Sequence, residues 1–418
     1  MSTRHASRLL GNLRTSQVLR YLGPGFLVTV GFIDPGNWAT NIAGGAQFGY
    51  RLLWVIALST LMLILLQGMS ARLGIVTGRS LAANVRQHFP RPVAAVFGVT
   101  IVLACVATDL AEYLGAALGF YLLFGIPPIV GAPITVGIVL FSILGQGHER
   151  LERMIIGFLA VIAICYLVEL FLVDVSWKAA LPSVVVPSIS SDSIVIAMGM
   201  LGAVVMPHNI YLHSNVIQSR EWGKTPEERG RLLRFETLDT VLSMGMGWLV
   251  NSAMIIVAAA VFFSHGVAVS SIEKASTTLQ PLAGDLARLL FAVALLFAGV
   301  GSSITSSLAE ANVITGYTGR PEDPHSRYYQ LALIVTSVPA MLVIALGLDS
   351  YVVLILSQVA LSIQLPFTII PLLLLVGNRR VMGTYASGRI EKLLGIAVAV
   401  IVVGLNVLLL YGTLGGGF

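Results

Sequence analysis

Apolar stretches about twenty residues long follow one another along almost the whole chain, and each can cross a bilayer's roughly 30 Å hydrocarbon layer as a helix. Eleven are read, at about 22–45, 52–75, 93–123, 128–145, 154–173, 194–218, 235–263, 280–312, 328–347, 350–376 and 392–412. Charged or Gly/Pro-rich segments divide them, such as Phe124-Gly125-Ile126-Pro127-Pro128 and Gly319-Arg320-Pro321-Glu322-Asp323-Pro324. A backbone in lipid must satisfy its own hydrogen bonds, which makes this an all-α membrane protein. Only 11% of its residues are charged, against roughly 25% in soluble domains, which excludes a soluble enzyme or a disordered chain. Cys105 and Cys165 lie inside apolar runs and read as small buried hydrophobes rather than a disulfide framework. The first run is too long and too interrupted for a cleaved signal peptide.

The net charge of +5 raises the question of nucleic acid, and the placement of the cations answers it. With the N-terminus inside, 21 of the 25 Lys and Arg fall in the tail and the even-to-odd loops. Arg51, Lys178 and Lys274 fall outside, and Arg288 lies within a span. Such asymmetry is the positive-inside signature, so the basic balance reflects topology and no nucleic-acid partner is expected. The reading is a cell-membrane protein with a cytoplasmic tail (1–21), one transmembrane domain (22–412) and a short external tail (413–418) ending at Phe418. The 6–7 loop is the longest cytoplasmic segment and reads as a short amphipathic connector.

Two spans are interrupted at mid-membrane. Span 1 contains Gly31-Phe32-Ile33-Asp34-Pro35-Gly36-Asn37, and span 6 contains Ala203-Val204-Val205-Met206-Pro207-His208-Asn209. Proline removes a backbone donor and clashes with the preceding turn, and freed backbone groups at this depth are tolerated only in protein or beside a cavity. Two prolines that merely kink packing helices are the plainer reading. Asp34 tips the balance, because a carboxylate at mid-membrane costs at least ~2.5 kcal/mol and normally faces a pathway or a partner. If spans 1–5 (about 22–173) and 6–10 (about 194–376) are two repeats, with 392–412 an extra helix, the breaks occupy corresponding positions. Paired broken helices point to a transporter site at the bilayer midplane. Asp34 offers a charged oxygen, Asn37 an amide oxygen, Ala203 an unwound carbonyl and Met206 a thioether. Oxygen ligands suit Mg²⁺, Ca²⁺ and Mn²⁺ alike, and a soft sulfur favours transition metals, although methionine alone is as readily a core filler.

Asp34-Pro35-Gly36-Asn37 and Met206-Pro207-His208-Asn209-Ile210-Tyr211-Leu212-His213-Ser214 resemble signatures of the Nramp family of divalent metal transporters. The resemblance extends to Ala107-Thr108-Asp109-Leu110-Ala111-Glu112 in span 3 and to the span-10 segment from Ser357 to Phe367. It implies a leucine-transporter-type fold of two inverted five-helix repeats plus an eleventh helix. It also implies import of Mn²⁺ and Fe²⁺ as transported substrates with co-transported protons, and no cofactor. Asp34, Asn37, Ala203 and Met206 match the family's metal-binding positions, and Gln358 matches a span-10 residue that joins in some states.

Asp109 and Glu112, three residues apart, share a helix face, where two carboxyls either relay protons or hydrogen-bond neighbouring helices for structural reasons. His208 adds an imidazole able to pass a proton, whereas His213 reads as a structural histidine. By resemblance, His208, Asp109 and Glu112 belong to the proton pathway. The sequence departs from the family pattern at Val102, where an acid is common, and at Tyr328 and Tyr329, where an arginine pair is common. The usual Gly-Gln-Ser-Ser of span 8 reads Gly299-Val300-Gly301-Ser302-Ser303. Glu310 is an acid outside the pattern, either another proton route or the partner of a cytoplasmic cation.

Other classes fit less well. An intramembrane enzyme would need a nucleophile–base pair or a closed metal set such as His-Glu-x-x-His, and none is present. A cation channel is disfavoured by breaks in both halves, and an organic-acid carrier by Asp34. A related Mg²⁺ transporter lacks the methionine that Met206 supplies. The expected partners are therefore divalent transition metal ions, protons and the lipid bilayer, with no obligate protein partner.

Overall fold

Five helices begin on a proline, at Pro24, Pro35, Pro128, Pro207 and Pro226, where the missing N–H has no intrahelical acceptor to lose. The computed structural model describes residues 23–223 and 225–413. Span 1 is two helices, Pro24–Gly31 and Pro35–Phe48, and span 6 is two helices, Ile194–Val204 and Pro207–Val216. The others are Leu53–Thr77, Arg91–Phe124, Pro128–Gly145 and His148–Leu172 (spans 2 to 5), then Pro226–Val261, Ile272–Thr318, Arg327–Ala345, Ser350–Gly377 and Arg389–Thr413 (spans 7 to 11). By length and apolarity ten stretches of the described residues qualify as crossings. One of them, Pro35–Thr77, joins the second half of span 1 to span 2, so the eleven-span reading and this count agree. The expected tails, 1–21 and the residues after Thr413, lie outside the described residues.

Two boundaries differ from the apolar pattern for identifiable reasons. Span 7 starts at Pro226, about nine residues before its apolar run, because Thr225 and Glu228 form a reciprocal capping box. The basic segment read as a connector is thus the first turns of a helix. Span 8 starts at Ile272, and Gly284 breaks its regularity with a φ of 92°, a conformation that favours glycine.

The half-helices cross-pair. Pro24–Gly31 packs on Pro207–Val216, and Pro35–Phe48 packs on Ile194–Val204, which sets the two breaks side by side. Span 7 lies along both halves of span 1, span 10 along the first half of span 6, and span 3 along span 8. Burial follows this order: 94% of the span-6 window is inside the protein, against 22% for span 11. The unwound backbone of span 6 therefore never faces lipid, which is the condition for such a break.

Candidate functional site

At the first break, helix Pro24–Gly31 closes with tight turns from Phe32 N to Thr29 O and from Ile33 N to Val30 O, both 3.1 Å. Asp34 then caps the second half-helix: its Oδ2 accepts from Gly36 N (2.9 Å) and its Oδ1 from Asn37 N (3.0 Å). These are orphan donors of a helix N-terminus, where a carboxylate is also favoured by the dipole. The Phe32 carbonyl left over by the break accepts from Asn251 of span 7 (3.2 Å), and Asn251 in turn accepts from Asn41 (2.7 Å).

Asn37 joins the two breaks. Its Nδ2 donates to Asp34 Oδ1 (2.6 Å) and to the Ala203 carbonyl (2.8 Å), which the unwinding of span 6 sets free. Gln358 of span 10 reaches the same carboxylate, Nε2 to Oδ2 at 3.4 Å. That approach depends on glycine at 36, since a Cβ there would stand 1.8 Å from Gln358 Nε2. Met206 caps the second half of span 6, three residues from Ala203, and its sulfur accepts from Asn209 Nδ2 at 3.5 Å. Asp34, Asn37, Ala203 and Gln358 are thus linked directly, and Met206 lies on the same break with its sulfur turned to Asn209. All five residues are wholly buried.

Three amide oxygens in this cluster, Asn37 Oδ1, Gln358 Oε1 and Asn209 Oδ1, are buried without a hydrogen-bond partner. Buried acceptors rarely stay unpaired, so spare oxygens near one carboxylate and a carbonyl released from its helix fit a cation. An N–H donor between Asp34 Oδ1 and Ala203 O also occupies the place where a cation would meet both oxygens. Among the described residues no three His, Cys, Asp or Glu side chains gather into a conventional metal cluster.

The predicted proton residues stand on a different interface. Gly115 lets span 3 close onto span 1: a Cβ there would lie 2.0 Å from the Pro35 ring. One turn away, the Ser306 hydroxyl of span 8 donates to Glu112 Oε2 and lies 3.5 Å from Asp109 Oδ1, so the two acids do share a face. Thr336 of span 9 donates to Glu310 Oε2 at 2.7 Å. His208 does not join this group directly. Its Nδ1 lies 3.2 Å from Thr108 Oγ1, and its Nε2 is buried without a partner. His213 is held between Gln67 (3.0 Å) and Glu236 (3.6 Å), as a structural histidine would be. Val102 borders a cavity of about 690 Å³ together with Arg86, Arg91 and Tyr317. Tyr328 lies under the Arg320 guanidinium at 4.2 Å, and Tyr329 is buried with its hydroxyl 3.5 Å from Leu308 O.

Sequence reading missed Asn251, Ser306 and Thr336. Ser303, Ser306, Ser307 and Glu310 recur at helical spacing, a polar stripe on an apolar span that carried the missing signal.

The family model described as Natural resistance-associated macrophage protein-like matches residues 25–412. The divalent metal cation transporter MntH of Caldanaerobacter subterraneus is 42% identical, over 99% of this chain and 98% of that protein. The MntH of Bacillus subtilis is 39% identical, over 95% and 93%. A crystal structure of the Eremococcus coleocola manganese transporter, in a mutant form, superposes with a TM-score of 0.84 at 31% identity, covering 98% of this chain and 90% of that one. The nucleobase-cation symporter Mhp1 shares the fold at a TM-score of 0.63, with 15% identity over 94% of this chain and 93% of that one.

Proposed function

This chain belongs to the Nramp family, and from that premise we propose that it imports divalent transition metal ions, Mn²⁺ and Fe²⁺ among them, together with protons. The reading rests above all on one observation: Asn37 bridges the Asp34 carboxylate and the Ala203 carbonyl across the two breaks, with spare amide oxygens beside it. A metal ion arriving there displaces the Asn37 amide N–H from between the two oxygens. Rotation of the amide then offers Oδ1 in place of Nδ2, and Gln358 can turn its own free Oε1 in the same way. Met206 contributes sulfur once Asn209 releases it. The set has one formal charge, several dipoles and one soft atom, which suits Mn²⁺ better than the hard ions, because Mg²⁺ gives up water reluctantly.

Burial of all five residues supports alternating access over an open pore. The half-helices that pair across the breaks are the units that rock in transporters of this architecture. The cation asymmetry supports a cytoplasmic N-terminus and an external C-terminus in the cell membrane. Asp109, Glu112 and His208 are taken as the proton residues, separate from the metal ligands.

Proteoliposome uptake of Mn²⁺ with a pH-sensitive dye inside tests the reading. A saturating uptake that acidifies the interior, with Mg²⁺ a poor competitor, is expected. Non-saturating flux would indicate a channel, Mg²⁺ preference would indicate the Mg²⁺-transporting branch, and saturable uptake without acidification would indicate an uncoupled carrier.

A further inference from the structure

We propose that Glu310 is a proton-carrying residue of the transport cycle, which shares one proton with Asp109 across the interface of spans 3 and 8. The inference rests on the proton-coupled reading above and adds a residue that the family pattern does not contain.

Glu310 is wholly buried one helical turn after Ser306, whose hydroxyl lies 3.5 Å from Asp109 Oδ1, which sets the Glu310 carboxyl beside that of Asp109. Two ionised carboxylates present only acceptors, so this contact requires a proton on one of them. No cation offers an alternative: among the described residues Arg72 pairs with Glu391 and Arg220 with Glu152, and no cation pairs with Glu310. Pairing with a cytoplasmic cation is thereby set aside. The titratable groups that interact with Glu310 are on span 3, namely Cys105, Asp109, Glu112 and Tyr113, while span 9 meets it with the Thr336 hydroxyl.

The arrangement is a chain of exchangeable protons. Ser306 bridges Glu112 and Asp109, and Thr336 donates to Glu310. Asp109 Oδ2 and Glu310 Oε1 accept from no N–H or hydroxyl donor, which leaves them free to hold the shared proton, and Glu112 Oε1 is likewise without a donor. In the proposed step the Asp109 O–H bond breaks as a Glu310 O–H bond forms. The negative charge moves from Glu310 to Asp109, and the charge of the pair is unchanged. Glu310 thus supplies a second carboxyl at the level of Asp109, where Val102 leaves span 3 without one two turns away.

The test compares wild type, Glu310→Gln and Glu310→Asp in proteoliposomes loaded with pH and Mn²⁺ dyes. Glu310→Gln should lower protons moved per Mn²⁺ about tenfold, less than the roughly 10²–10⁴-fold of a sole proton-transfer group, because Asp109 and Glu112 remain. Its Mn²⁺ binding in detergent should be unchanged, and Glu310→Asp should restore much of the proton flux. An unchanged proton-to-metal ratio in Glu310→Gln overturns the assignment. Wild-type metal uptake without acidification defeats the coupled reading and this step together, whereas a wild type that takes up no metal defeats the transport reading alone. Infrared spectroscopy decides independently of transport and of the variant's folding. Wild type at neutral pH should show a protonated-carboxyl band, and its absence overturns the shared proton.

Discussion

At the breaks of spans 1 and 6 a single carboxylate stands among amides, a carbonyl released from its helix and a thioether; at the meeting of spans 3, 8 and 9 three carboxyls gather around the hydroxyls of Ser306 and Thr336. Both centres are fully buried, and both keep oxygens without partners. The first collects dipoles around one charge, so it can hold a dication and let it go. The second gathers carboxyls that repel one another when ionised, which is the setting proposed for the proton relay. On the proposed reading the two cargoes take two places, and four substitutions test that division.

The largest effect is expected from Asp34→Ala. A dication at mid-membrane is not held usefully by neutral dipoles, so Mn²⁺ uptake should vanish while the purified protein stays folded in detergent. Uptake at the wild-type rate would remove the breaks from the metal path.

Asp109→Asn should act on the other centre. Proton movement per Mn²⁺ is expected to fall about tenfold or more, with metal binding affected far less. Equal losses in both would merge the two centres into one, and undiminished acidification would take Asp109 out of the pathway.

Met206→Ala should shift selectivity rather than abolish transport. Loss of the thioether is expected to cost soft ions on the order of 1–2 kcal/mol, roughly tenfold in affinity. Mg²⁺ and Ca²⁺ should then compete better against Mn²⁺. If they are excluded as well as before, Met206 is a packing residue.

The smallest effect belongs to Glu322, in the loop between spans 8 and 9, away from both centres. It accepts from Ser80 (2.8 Å) and from Asn215, and burial holds its carboxyl above the usual range. A raised carboxyl binds its proton better in the folded state, so its contribution to stability is present at low pH. That contribution is lost as pH rises through its folded value. Thermal melting between acidic and neutral pH should flatten slightly in Glu322→Gln, with transport little changed. A large loss of uptake in this variant would mean that this loop takes part in the cycle.

The breaks were legible because proline, glycine and an acid inside an apolar run contradict a plain lipid-facing helix. Asp34-Pro35-Gly36-Asn37 and Met206-Pro207-His208-Asn209 announce themselves locally. The residues that complete each centre were not legible in the same way. Asn251, which donates to the Phe32 carbonyl, lies 219 positions away from it, and a single asparagine in an apolar helix carries no address. Ser306 and Thr336 are ordinary small polar residues until packing sets them against Asp109, Glu112 and Glu310. Glu310 stood out as an acid, but only the packing shows that among the described residues no cation pairs with it. Helix ends misjudged by the apolar pattern, at Pro226 and Ile272, were governed by caps rather than by hydrophobicity.

Anomalous diffraction from crystals soaked with Mn²⁺ tests the central claim most directly. The account predicts one peak at about 2–2.5 Å from oxygens of Asp34, Asn37 and Ala203, lost in Asp34→Ala, with the Asn37 amide turned to present Oδ1. A peak among Asp109, Glu112 and Glu310, with none at the breaks, would contradict it.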